Sequence, residues 1–96
     1  MGQVKNHKRK GARAERKTMA YLESMAFRCV RSAASLGPFD VVAIGTLGVL
    51  LVQVKANGYA SAIELEAMRE FPRPPGVVCQ VHRWVDYSRL PIVTDV

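Results

Sequence analysis

The chain has 96 residues, enough for one small domain whose single core leaves little stability in reserve. Hydrophobic residues make up 49% of it, yet no run approaches the roughly 18 apolar residues of a membrane span. The polar, basic start also lacks the apolar stretch of a signal peptide, so a soluble, cytoplasmic protein without membrane contact is expected. Fourteen Lys and Arg against eight Asp and Glu give a net charge of +6. Nine of those bases fall in residues 1–31, the electrostatic footprint of a protein that binds a phosphate backbone.

Residues 1–10, with Lys8, Arg9 and Lys10, are polar and aperiodic and predict a flexible basic arm ahead of one domain over 11–96. From residue 11 to 26 the pattern is helical. Met19, Leu22 and Ala26 form the apolar stripe, Arg13, Arg16 and Lys17 point mostly elsewhere, and Glu15 lies on the stripe's inward edge. "FRCVRS" alternates as a half-buried strand, and "SAASLGP" is a loop. "FDVVAIG" and "GVLLVQVK" are aliphatic, β-branched runs typical of central strands, joined by a turn between Gly45 and Gly48. "SAIELEAMREF" opens with the capping-box pair Ser61 and Glu64 and predicts a helix whose inward face is Ile63, Ala67, Met68 and Phe71. "VVCQVHRWV" is a further strand, and "DYSRLPIVTDV" an irregular or extended tail. The order α-β-β-β-α-β predicts an α/β fold with a central mixed sheet flanked by helices.

Three polar residues stand out in the two central runs: Asp40, Gln53 and Lys55. If Gly45 pairs with Gly48, antiparallel counting puts Asp40 opposite Gln53, and the pleat puts Lys55 on the same face. Two oxygen donors and an amine on one wall suit a hard divalent ion, Mg2+ or in its place Mn2+, acting on a phosphodiester. Glu15 is the candidate third oxygen ligand, and Ser32 and Ser35 lie in the loop that leads to Asp40. Cys29 and Cys79 match no zinc spacing and read as reduced core thiols. His7 and His82 are isolated and receive no catalytic role. Trp84 and Tyr87 read as core or dimer-contact residues.

The segment "KGARAERKTMAYLESMAFRCVRSAASLGPFDVVAI", followed by "VLLVQVKANG", resembles the archaeal-type Holliday junction resolvases of the PD-(D/E)xK nuclease superfamily. The likeness runs over about residues 10–58 in a specific order: helix Glu, arginine–serine loop, Pro-x-Asp, and x-x-Lys at a strand end. It implies the restriction-endonuclease-like fold and Mg2+-dependent cutting of four-way DNA junctions by a homodimer. By resemblance, Glu15, Asp40, Gln53 and the carbonyl of Val54 are metal ligands, Lys55 is the catalytic lysine and Ser35 is the loop serine near the scissile phosphate. Arg13 and Arg16 are implied phosphate contacts, and Lys8, Arg9, Lys10, Arg31 and Ser32 complete the expected DNA-binding set. One departure is plain: the family usually has Glu where this chain has Gln53, which predicts weaker metal binding and a preference for Mn2+. Two other readings compete with junction resolution. One is a nuclease of the same fold acting on other branched or nicked DNA; the other is a non-catalytic DNA binder that uses only the basic helix and arm.

Overall fold

The computed structural model describes residues 2–32 and 37–96, with side chains from Gly11 onward. Its first helix, α1, spans Gly2–Glu23. Residues 2–10 therefore have helical backbone where sequence composition predicted an arm without regular structure. Gln, Lys and Arg are good helix formers and no proline intervenes, so nothing stops the helix before Gly11. Its buried stripe is Ala14, Thr18 and Leu22, spaced by four, with Met19 half-buried beside it. Ala26, predicted to extend that stripe, instead lies exposed in the turn that ends the helix, at φ 72. The N–H groups of Met25 and Phe27 both return to the carbonyl of Leu22 there, which satisfies the helix end and reverses the chain.

Five strands follow in spatial order: β1 (Arg28–Arg31), β2 (Val41–Ile44), β3 (Val49–Ala56), β4 (Val77–Trp84) and β5 (Ile92–Asp95). The β1–β2, β2–β3 and β4–β5 pairs are antiparallel, whereas β3 and β4 run parallel. A parallel neighbour needs a crossover connection, and helix α2 (Ala62–Glu70) supplies it. The α/β class and mixed sheet agree with expectation. The fifth strand does not: part of the tail read as irregular or extended pairs with β4, from Gln80 with Asp95 to Arg83 with Ile92.

Strand alternation divides the core into two layers. Leu22 packs with Val41, Ala43 and Val52 on the α1 face, and Met68 packs with Phe39, Leu51, Cys79 and Val81 on the α2 face. Half of the inward face predicted for α2 is corrected: Met68 is fully buried and Phe71 packs against the core, but Ile63 is 83% exposed and Ala67 is exposed. Leu65 packs inward in their place. Glu64 reaches the sheet to meet charged and polar partners, and that rotation turns Ile63 to solvent.

The two-residue turn forms as counted, with Gly45 N–H donating to the Gly48 carbonyl at 2.8 Å and Val41 aligned with Val52. Gly48 also abuts the strand that follows the crossover. A Cβ added there would stand 2.2 Å from the carbonyl oxygen of Gly76. Cys29 and Cys79 are free thiols, and burial pushes both upward in pKa. Among the described residues no helix is long and apolar enough to cross a membrane.

Candidate active site

Asp40 immediately precedes β2 and ends its ladder with β3. Its N–H donates to the Val52 carbonyl and its own carbonyl accepts from Ser32 N–H, both at 2.8 Å. Its carboxylate Oδ2 accepts from the backbone N–H of Val54, also at 2.8 Å. The paired residues thus stop at Val41, and the Asp40 carboxylate takes the next N–H of β3 in place of a strand acceptor. Direct opposition to Gln53, expected from the turn count, gives way to this cap beside it. Burial pushes the Asp40 carboxyl above its ordinary pKa, the Val54 N–H opposes that, Glu15 and Glu64 raise it further and Lys55 lowers it.

Gln53 and Lys55 alternate with Leu51 on the α2 face of β3 and meet one group there. Gln53 Nε2 donates to Glu64 Oε2 at 3.0 Å, and Lys55 Nζ donates to the same oxygen at 2.9 Å. Gln53 is 4% exposed, and its Oε1 has no hydrogen-bond partner. The other Glu64 oxygen, Oε1, accepts from Ser61 N–H at 2.8 Å, while Ser61 Oγ accepts from Glu64 N–H, so the capping box is closed. The Ser61 N–H and Lys55 hold the Glu64 carboxyl below its usual pKa against a smaller opposing effect of burial.

Sequence reading saw Glu64 only as a helix cap. The signal that could have found it is topological. A crossover helix that leaves the C-terminal end of β3 starts its first turn over that end, where Gln53 and Lys55 lie.

Glu15 stands on the other face of the sheet. Its Oε1 accepts from Arg31 Nε at 3.0 Å and Nη2 at 2.9 Å, so Arg31 is paired with an acid rather than standing free for phosphate. Its charge still reaches Asp40. Arg13 and Arg16 are exposed on α1, and the Ser32 hydroxyl is buried without a partner. The side chains of Lys8, Arg9 and Lys10, and all of Ser35, lie outside the described residues. His82 and Trp84 belong to the core: Trp84 Nε1 donates to Thr18 Oγ1 at 2.7 Å, and His82 Nδ1 lies 3.4 Å from the same oxygen. Tyr87, by contrast, is fully exposed.

Among the described residues no three His, Cys, Asp or Glu side chains come close enough together to hold a metal ion. The donor chemistry nonetheless fits a hard divalent cation. A buried amide oxygen without a donor gains most from a positive charge, and so does a carboxylate raised by burial and by like charges.

Residues 6–71 match a family model described as archaeal Holliday junction resolvase (Hjc). A solved structure, that of Hjc from Archaeoglobus fulgidus, a Holliday junction resolvase from an archaeal hyperthermophile, is similar with a TM-score of 0.70 and 29% identity. The likeness covers 82% of this chain and 67% of that one. No curated protein sequence matches significantly.

Proposed function

The chain belongs to the archaeal Holliday junction resolvase family, and we propose that it is a metal-dependent, structure-selective endonuclease that cuts four-way DNA junctions in pairs as a homodimer. The observation that carries the reading is the gathering of Asp40, Gln53 and Lys55 at one end of the β2–β3 hairpin.

Asp40 and the free Oε1 of Gln53 would hold Mg2+, or Mn2+ in its place, with the carbonyl of Val54 as a further oxygen donor; Glu15, across the sheet, would have to leave its pair with Arg31 to join them. The ion supplies Lewis acidity toward the phosphate and a lowered pKa for water. The chain's own residues do the rest. The Val54 N–H fixes the orientation of the Asp40 carboxylate. The Lys55 side chain is 27% exposed, so its ammonium would meet the phosphate and stabilise the charge that builds on its oxygens. A water oxygen bonds to phosphorus, the ester oxygen leaves, and that oxygen ends protonated. Ser35 and Ser32 would flank the scissile phosphate, and Arg13, Arg16 and the basic residues Lys8, Arg9 and Lys10 would bind the flanking backbone. Two opposed cuts need two sites, hence the homodimer. A protein that cuts such DNA would work in the cytoplasm of a cell whose chromosome lies there.

The test compares a mobile four-way junction with linear duplex, nicked duplex and single strands at fixed salt, with Mg2+ or Mn2+. Cleavage confined to the junction and lost in Asp40→Ala is expected. Cleavage undiminished in that variant would sink the site, and equal cutting of nicked duplex would move the assignment to other branched DNA.

A further inference from the structure

Gln53 brings an uncharged amide to the end of β3, and the carboxylate of Glu64 lies directly against it. We propose that Glu64, from the crossover helix, supplies the carboxylate of the metal-holding set that strand β3 does not. This rests on the nuclease reading given above.

Three observations converge on it. Both β3 residues of the site, Gln53 and Lys55, donate to one oxygen of Glu64, at 3.0 and 2.9 Å. With its Nε2 spent on Glu64, Gln53 keeps Oε1 buried and unpartnered, at 4% exposure of the residue, which is a polar atom that awaits a cation. The charge of Glu64 is also felt at Asp40. An amide oxygen from β3 and a carboxylate from α2 thus stand side by side at the end of the strand.

The carboxylate is held ready. The capping box fixes its Oε1 to the Ser61 N–H, so its rotamers are restricted before any ion arrives. Its present counter-ion is exchangeable: the Lys55 and Glu64 side chains are 27% and 34% exposed, and an ion pair so solvated contributes little. Trading the ammonium for a divalent ion leaves Lys55 available to the phosphate.

The test is Mn2+ binding, measured by titration calorimetry on the full chain without DNA, beside junction cleavage. Glu64→Gln retains an acceptor for the Ser61 N–H and therefore keeps the helix cap. It is expected to weaken Mn2+ binding on the order of tenfold or more. Gln53→Glu added to Glu64→Gln is expected to recover it. Glu64→Asp, which keeps the charge but draws the carboxylate back by one methylene, should weaken Mn2+ binding in the same direction as Glu64→Gln.

Unchanged Mn2+ affinity in Glu64→Gln overturns the proposal, while loss of affinity and cleavage in Asp40→Asn would leave the nuclease reading standing. Loss in Glu64→Gln that Gln53→Glu does not recover makes Glu64 a positioning residue for Lys55 and also overturns it. Wild type that neither binds Mn2+ nor cuts junctions removes the nuclease reading and this assignment together.

Discussion

Oδ2 of Asp40 accepts the backbone N–H of Val54 at 2.8 Å, which binds the acid to the strand that carries Gln53 and Lys55. That carboxylate is held in a place unfavourable to its charge, since burial raises its pKa more than the Val54 hydrogen bond lowers it.

Asp40→Asn is therefore expected to act in opposite directions on activity and stability. Cleavage falls to background, while the metal-free protein melts a few degrees higher at pH 7. The sign follows from the raised pKa. Between the unfolded value, 3.8, and the higher folded one, the native state binds the extra proton, so the cost of charged Asp40 is complete above that window. The melting difference between variant and wild type should shrink as pH falls through the window and vanish below 3.8. A difference that persists at low pH would place its cause elsewhere.

His82 gives the reverse dependence. It is fully buried, and burial pushes its pKa from 6.5 down to about 4. The unfolded chain takes up a proton first between those values, so this group's contribution to stability rises with pH across the window and is level above 6.5. Wild type should lose up to about 3 kcal/mol more than His82→Gln between pH 7 and pH 4. Urea unfolding at each pH, followed by Trp84 fluorescence, measures it.

The contact of Gly48 with Gly76 makes a sharp pair of variants. At Gly48 a Cβ meets backbone at 2.2 Å, and backbone cannot turn aside as a side chain can. Gly48→Ala should cost about 2 kcal/mol or more and disturb the Val49 N–H to Gly76 carbonyl bond. Gly58, where nothing lies within 4 Å, should accept alanine within about 0.5 kcal/mol. Chemical denaturation of both variants decides it.

Arg13 and Arg16 are exposed and carry no ion pair among the described residues. Removing either as alanine is expected to weaken junction binding and to reduce the slope of log affinity against log salt by about 0.9 per lost phosphate contact. Fluorescence anisotropy over a range of salt reads both quantities. Arg31→Ala should do less to the slope, because its guanidinium is engaged by Glu15.

What could be read in advance was local. The Gly45–Gly48 turn set the register of two strands, and Ser61 with Glu64 marked the start of α2, because each depends on residues a few positions apart. What escaped was decided by distant partners. Pairing of Ile92–Asp95 depends on β4, for the tail carries little strand pattern of its own. The orientation of α2 depends on Lys55 and Gln53 drawing Glu64 inward, a polar attraction that an apolar-stripe count ignores. The pairing of Glu15 with Arg31 joins α1 to β1 across the fold, and neither residue's sequence neighbours announce it.

The parallel β3–β4 pair has a consequence for the order of assembly. The β2–β3 hairpin closes around two residues, so Asp40 can meet Val54 early, as a local event. Glu64 reaches Gln53 and Lys55 only when the chain between β3 and β4 has docked, which requires closing a loop that contains all of α2. The two halves of the site thus form on different clocks, and slowing the crossover delays the second acid without touching the first.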